Sequence, residues 1–335
     1  MTRRFESSVR LAYLSRAFCY LTCVASLATT GGDGRAQTNY PMRPITLVVP
    51  YPPGGSNDVF ARQLGRSLVE ELGQVVVIDN KPGASGNIGT AMVAKAAPDG
   101  YTLLAVSSSM TTNAAILPTL PFDAVRSFAP VAQMAKGPFI VAVNNAFPAR
   151  TPTELLARIK SNPGKFNYAS SGIGSSNQFA TELFKAMSGS FVVHVPYRGM
   201  GPAVTDLVGD QVQVLFASGP SLLQHVRNGR VRAIGVTSAG PSPIAPDLAP
   251  MATVVPGYEF ELWWGVLAPA GTAPDIVARL NAAINKVIAA PAMKQFYLAE
   301  GAETTPLPPV RFAATIAADV ARWQKLAKQQ SILPE

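Results

Sequence analysis

Short apolar runs alternate with amphipathic helical patterns along most of this chain. Residues 45–50 have the sequence ITLVVP, and such a short β-branched run is typical of a strand buried on both faces. A turn rich in Pro and Gly follows, and 57–72 then places its apolar residues on one face of a helix. The same order recurs at 75–79 with 86–97. This alternation predicts an α/β fold with mixed, mostly parallel sheets and helices on both faces.

The second half of the chain continues this alternation with two irregularities. An extended stretch at 131–144 is long enough to cross between sheets, and a lone late strand at 263–268 is best placed back in the first sheet. A chain of 335 residues is also long enough for about two domains. We therefore predict two discontinuous lobes, the first formed by 40–140 with 255–335 and the second by 141–254.

The N-terminus has the pattern of a secretory signal peptide. Basic residues precede an apolar run at 17–28, which is too short for a stable bilayer-spanning helix. A small-x-small motif ends at Ala36, so we predict a signal peptide at 1–36, cleavage after Ala36 and a periplasmic protein. An uncleaved membrane anchor and lipidation at Cys23 are the alternatives, although Thr22 stands where a lipoprotein motif needs a small residue.

Cysteine and histidine are too scarce for metal chemistry. Both cysteines lie in the predicted leader, and His194 and His225 are the two histidines of the sequence. A His/Cys metal site is therefore not expected, and His194, which alternates with valines on a predicted strand, is interpreted as structural. Phosphate-loop, dinucleotide-binding and hydrolase nucleophile motifs are also missing from the sequence. We predict no enzyme activity, no catalytic residues, no cofactors and no metal.

Positive charge is scattered along the chain. The formal charge is +8, and the leader to Ala36 contributes five arginines against two acidic residues, a net +3, which leaves +5 for the rest. Nucleic-acid binding needs a focused basic surface. Scattered positive charge instead gives a mild long-range attraction for anions.

Five loops share a composition suited to anion binding. Each follows a predicted strand and brings small hydroxyl residues and Gly to a predicted helix start. The five lie at 51–58, 83–87, 107–109, 170–176 and 217–219. Ligands of open α/β sheets bind at the carboxyl ends of strands, where free N–H groups and the helix dipole favour an anion. Ser and Gly cap helices in many proteins, but five such loops favour a carboxylate cleft, with Ser85, Ser108 and Ser218 as candidate contacts.

Several modest motifs, in fixed order and spacing, resemble the Bug family, the extracytoplasmic receptors of tripartite tricarboxylate transporters. They include VPYPPGG at 49–55, NKPGA at 80–84, YASSG at 168–172, VPYRG at 195–199 and APAGT at 268–272. The similarity extends over essentially the whole chain after the leader.

The resemblance implies a two-lobed type II periplasmic-binding-protein fold that closes on a small carboxylate. In such relatives, the loop after the first strand and the loop before the second-lobe helix hold the carboxylate. Carried onto this chain, the contacts are Tyr51, Gly55, Ser56, Asp58, Ser171, Ser175 and Ser176. Asp58 also fits an alternative role in the first turn of its helix, where an acidic side chain favours the helix dipole.

Tyr197 and Arg198 follow a predicted strand within the fourth motif. We predict Tyr197 as a further ligand contact and interpret Arg198 as a solvated charge at the cleft rim, so that neutral donors hold the carboxylate. Two residues depart from the family pattern: His is frequent where Asn177 stands, and Asp is frequent where this chain has Ala217-Ser218. The missing Asp removes a partner for an amino group and disfavours an amino-acid ligand.

The resemblance further implies a monomeric solute-binding protein for transport. Its partners would be a small carboxylate and the membrane components of a tripartite tricarboxylate transporter. A carboxylate-binding module that informs a signalling sensor is the alternative that these residues leave open.

Overall fold

The computed structural model describes residues 40–117, 119–329 and 331–332, so the predicted signal peptide lies outside the described residues. Within the described residues, eleven strands form two sheets. The strands are β1 (Ile45–Val49), β2 (Val76–Asn80), β3 (Thr102–Ser107), β4 (Phe128–Pro138), β5 (Ile140–Val143), β6 (Asn167–Ser170), β7 (Val193–Pro196), β8 (Val214–Ala217), β9 (Arg232–Val236), β10 (Glu261–Pro269) and β11 (Glu303–Thr304). Their order is β11-β4-β10-β3-β1-β2 in the first sheet and β7-β6-β8-β5-β9 in the second.

Helices follow most of the strands, as the alternating pattern predicts. In the described part of the chain they are α1 (Ser56–Leu72), α2 (Asn87–Ala94), α3 (Ser109–Ile116), α4 (Pro152–Ser161), α5 (Ser176–Ser188), α6 (Met200–Val208), α7 (Gly219–Arg227), α8 (Pro274–Ala289), α9 (Pro291–Ala299) and α10 (Pro309–Gln329). None of these helices is both long and apolar enough to cross a bilayer.

Both sheets are mixed, with a larger antiparallel share than the alternation predicts. In the first sheet β1 pairs in parallel with β2 and β3, whereas β10 runs antiparallel to β3 and β4. In the second sheet β6 pairs in parallel with β7 and β8, whereas β5 runs antiparallel to β8 and β9. Each strand with a parallel neighbour is followed by a helix, and so are the antiparallel strands β5, β10 and β11. The antiparallel ones include β4, β5 and β10, which lead directly into or out of a crossing between sheets.

The chain crosses between the sheets at two adjacent points. Phe139 alone separates β4 from β5, and the return crossing runs from Thr237 to Phe260. Thr237 is fully buried and ties the crossings together: its Oγ1 accepts from Phe139 N at 2.8 Å and donates to Phe260 O at 2.7 Å. The Phe139 and Phe260 rings stack with centroids 5.6 Å apart.

Each sheet has its own apolar core. In the first, Val48, Leu104 and Trp263 pack with Phe312 of α10, and in the second β5 and β8 pack against α6 and α7. Burial of each large side chain contributes about 1.5–3 kcal/mol. The two cores hold the sheets rigid, so the helix starts at the carboxyl ends of the parallel strands are held in fixed positions.

Candidate functional site

A cavity between the two sheets, here called the cleft, is lined by the starts of five described helices. Helices α1 and α3 reach it from the first sheet, and α5, α6 and α7 reach it from the second. The space between its walls, open solvent included, is about 560 Å³. Each helix follows a parallel strand, so each presents its N-terminus, with unpaired N–H groups and the positive end of its dipole, to the same space. No charged side chain is among the described residues that line the cleft.

Hydrogen bonds to Asp58, on the side away from the cleft, fix the turn between β1 and α1. Gly54 adopts a φ of 88°, and its N–H donates to Asp58 Oδ2 at 3.0 Å. Asp58 also accepts from Arg62 Nε at 3.0 Å and from Asn80 Nδ2 at 3.0 Å. Asn80 Nδ2 in turn donates to Tyr51 O at 3.0 Å. Burial alone would raise the pKa of Asp58, but the hydrogen bonds from Arg62, Gly54 and Asn80 outweigh it and lower the pKa.

The first turn of α1 leaves backbone donors free beside the cleft. Gly55 is the N-cap and offers no side-chain acceptor. The N–H groups of Ser56 and Asn57 find no acceptor among the residues the structure describes. The Ser56 hydroxyl accepts from Trp264 Nε1 at 3.1 Å, which fixes that side chain against β10.

Two adjacent serines at the start of α5 have different roles: Ser175 caps the helix and Ser176 lines the cleft. Ser175 Oγ donates to Gly172 O at 2.5 Å and accepts from Gln178 N at 3.4 Å, so it caps the helix. Ser176 lines the cleft and meets Ser109 of α3 across it, with the two Oγ atoms 2.9 Å apart and Ser176 N donating to Ser109 Oγ at 3.2 Å. The helix that follows β3 of the first sheet and the helix that follows β6 of the second sheet are therefore in contact through these hydroxyls.

Polar side chains, none of them a carboxylate, fix the turn before α5. Gly174 N donates to Gln178 Oε1 at 2.7 Å, and Gln178 Nε2 lies 3.4 Å from His194 Nδ1. His194 Nε2 lies 2.6 Å from Ser170 Oγ, which accepts from Gly172 N at 3.2 Å. His194 thus has a structural role, as the sequence predicts.

The predicted site residues fall into three groups. Those that line the cleft are Tyr51, Gly55, Ser56, Ser171, Ser176 and Ser218. Ser85 and Tyr197 line a neighbouring cavity, together with Tyr51 and Ser171. Asp58, Ser108 and Ser175 line neither cavity. Asp58 and Ser175 are engaged by their own turns, and the Ser108 side chain is buried away from the cleft between Ser107 and Ser109, which do line it.

Burial changes the acidity of both tyrosines. It raises the pKa of Tyr51, against the opposing effect of the nearby Ser109 and Ser107 hydroxyls. Burial and the hydrogen bond from Tyr197 Oη to Asp206 Oδ2, at 2.6 Å, raise the pKa of Tyr197 to about 12. Both phenols therefore stay neutral near pH 7.

Two asparagines of the cleft were missed by the sequence reasoning. Asn57 and Asn177 occupy the second positions of α1 and α5, and they are 8% and 2% exposed. Asn177 Oδ1 accepts from Ser171 Oγ at 3.0 Å, while its Nδ2 has no partner in the described structure. The signal was present in the sequence, because both helices begin with Ser-Asn. No group of three or more metal-ligating side chains occurs within the described residues.

This arrangement defines a ligand-binding protein whose site lies between two α/β lobes. A family model described as tripartite tricarboxylate transporter family receptor matches residues 60–332, and the chain belongs to this family. The membership confirms the resemblance drawn from the sequence motifs.

Individual relatives agree in sequence and in fold. The chain is 41% identical over 305 residues to the UPF0065 protein in the tcbD-tcbE intergenic region of Pseudomonas sp. (strain P51), across 90% of this chain and 91% of that protein. It is similar to the periplasmic binding protein BugD, with a TM-score of 0.84 and 31% identity over 88% of this chain and 100% of that one. It is also similar to the R. palustris protein Rpa4515 with adipate, with a TM-score of 0.85 and 34% identity over 87% of this chain and 98% of that one. These likenesses confirm the two-lobed periplasmic-binding-protein fold.

Proposed function

We propose that this chain is a periplasmic solute-binding receptor that captures a small carboxylate in the cleft. It would pass this ligand to the membrane components of a tripartite tricarboxylate transporter. The convergence of five helix N-termini on a cavity without charged lining residues is the observation that supports carboxylate capture most strongly. Family membership supports the receptor role and the transporter partner, and the adipate-bound neighbour supports the ligand class.

Neutral donors are sufficient for this task. A carboxylate entering the cleft could accept from the free N–H groups of Ser56 and Asn57 and from Asn177 Nδ2. Each hydrogen bond to a charged group contributes about 1.5–3 kcal/mol. The helix dipoles add to this, because all five positive ends face the ligand. A binding protein of this kind has no need of catalytic groups, and we propose no enzyme activity.

Closure of the two lobes would complete the site. We propose lobe boundaries at 40–140 with 255–335 and at 141–254. Contacts across the cleft include Ser109 with Ser176 and Thr112 Oγ1 with Gly174 O at 3.0 Å, which indicates a closed arrangement. Opening about the crossings would separate these contacts and admit a ligand.

The leader supports the proposed location. Export followed by cleavage after Ala36 would yield a monomeric periplasmic protein, and the likeness to a periplasmic binding protein agrees with this. Intact mass of the protein from a periplasmic fraction tests the site of cleavage. A mass that includes Cys23 and a lipid would contradict it.

A thermal-shift screen of the purified chain 37–335 against mono-, di- and tricarboxylates tests the ligand class. An acid present at about 100 times its dissociation constant should stabilise the fold by about 2.7 kcal/mol. Matched amines and alcohols serve as the controls. If no carboxylate shifts the unfolding temperature, the proposed function is wrong. Cells that lack the protein should also fail to take up the acid identified, whereas undiminished uptake would favour the sensor alternative.

A further inference from the structure

A second cavity, here called the groove, adjoins the cleft. It shares Tyr51, Pro52, Ser171 and Gly199 with the cleft, and it is the larger of the two cavities. The two cavities therefore adjoin at residues that both lobes contribute.

The wall of the groove is mostly apolar. It contains four prolines, two tyrosines and Ile173, and Arg198 is the charged residue among its described lining. Arg198 is exposed and forms no ion pair with any residue the structure describes. An apolar cavity with an unpaired cation in its wall matches a ligand that has an apolar body and a second anionic group.

A strained turn builds one side of this wall. Residues 83–86 all have positive φ, and two of them, Ala84 at 46° and Ser85 at 54°, are not glycine. Ser85 Oγ donates to Ile173 O at 2.5 Å, from the first lobe to the second. Gly172, whose φ is 128°, allows this approach, since a Cβ there would lie 2.7 Å from Ser85 Oγ. Residues other than glycine rarely adopt such backbone conformations. Backbone strain of this kind is concentrated at ligand sites.

We propose that the groove is a second subsite for the ligand that the cleft captures. The apolar wall binds the body of the ligand, and Arg198 meets its second anionic group. The ligand class is therefore an extended apolar dianion rather than a short acid. This inference rests on the proposed function, because it needs the first carboxylate to be held at the helix N-termini.

Calorimetry with three matched acids tests the subsite. Hexanoate exceeds butyrate by two methylenes, and if these are buried in the groove each should tighten binding about four-fold. Adipate differs from hexanoate by the second carboxylate. Arg198→Gln should weaken adipate about three- to five-fold at low salt, because an exposed ion pair contributes little, and should change hexanoate by less than about two-fold.

Two variants control for wall polarity and for net charge. Ile173→Asn places a neutral polar group in the wall and should reduce the gain from butyrate to hexanoate to about four-fold or less. Arg230→Gln removes an exposed charge outside the groove and should leave the selectivity among the acids unchanged. Ligand-free thermal unfolding checks that each variant is folded.

The outcomes separate the two proposals. If butyrate, hexanoate and adipate bind equally, or if Arg198→Gln weakens hexanoate as much as adipate, the second subsite is wrong while the proposed function stands. If none of the three acids binds, the second subsite is wrong, and the proposed function is overturned as well only if no other carboxylate of the thermal-shift screen binds.

Discussion

The turns before α1 and α5 present the same chemistry to the cleft but are held in place by different means. Both helices begin with Ser-Asn, as Ser56-Asn57 and Ser176-Asn177, and both residue pairs line the cleft. The first turn is held on the side away from the cleft by an ion pair, in which Asp58 Oδ1 lies 2.9 Å from Arg62 Nη2. The second turn is held by polar side chains that include His194 and no carboxylate.

This difference shows that ligand contact and loop support are separate tasks here. The charges of the first turn face away from the cleft, so they fix the loop without adding a charge to the binding surface. A charged side chain in the cleft would have to be desolvated whenever the site closed, which is costly. Changes to the supports should therefore affect stability first, and changes to the Ser-Asn pairs should affect binding first.

The largest effect is expected at the charged support. Asp58→Ala removes the carboxylate that accepts from Gly54 N, Arg62 and Asn80 and should lower the free energy of unfolding by about 3 kcal/mol. Asp58→Asn keeps one acceptor oxygen and should lower the free energy of unfolding by a smaller amount. Urea unfolding of both variants measures this, and a loss under about 0.5 kcal/mol for Asp58→Ala would refute the supporting role.

The charged support should also be sensitive to pH. Because the folded pKa of Asp58 is lowered, its contribution is complete above its ordinary pKa of about 3.9 and is lost as pH falls through the folded value. The stability difference between the wild type and Asp58→Asn should thus shrink in acid. The difference for Ser175→Ala should stay constant over the same pH range, since no charge is involved. Unfolding at a series of pH values compares the two variants, and a difference for Asp58→Asn that is unchanged in acid would contradict the assignment.

The second turn permits a finer separation of the two tasks. Ser176→Ala removes a cleft hydroxyl and should weaken carboxylate binding about ten-fold, the equivalent of one hydrogen bond to a charged group. Ser175→Ala removes a helix cap and should cost about 1 kcal/mol of stability with little change in affinity. Calorimetry and thermal unfolding of the two single variants decide the point. The reverse pattern would show that Ser175, not Ser176, contacts the ligand.

The smallest effect is expected at Tyr197. Its hydroxyl is engaged by Asp206, so Tyr197→Phe should lower stability by about 0.5–1.5 kcal/mol and leave affinity unchanged, because the ring remains in the groove wall. A clear loss of affinity in calorimetry would instead make the hydroxyl a ligand contact.

The sequence predicted most of the fold because its periodicity is local. The run at 45–50 became β1, and the helix expected near 291–299 is α9. The antiparallel pairing of β5 was less predictable, since the direction of a strand depends on neighbours distant in sequence. Four of the five loops that were predicted from their composition to form the binding site line the cleft. The fifth, at 83–87, lines the groove instead.

Individual contacts were harder to predict than loops. Within 107–109 the sequence gives three equivalent serines, and only the backbone geometry decides that Ser107 and Ser109 line the cleft while Ser108 does not. Asp58 was a candidate contact because the family resemblance carried it over with the rest of the first loop. Its engagement by Asn80, which is distant in sequence, required the fold. Hydrogen bonds between distant residues leave no periodic signal in a single sequence.

The central claim is that neutral helix N-termini hold the ligand carboxylate between the lobes. A crystal structure of the chain with the tightest-binding acid of the thermal-shift screen tests it most directly. We expect one carboxylate of the ligand within hydrogen-bond distance of backbone N–H groups at the starts of α1 and α5, with no Arg or Lys side chain on it. A ligand with no carboxylate at these N–H groups, or with the carboxylate in the cleft paired with a charged side chain, would contradict the account.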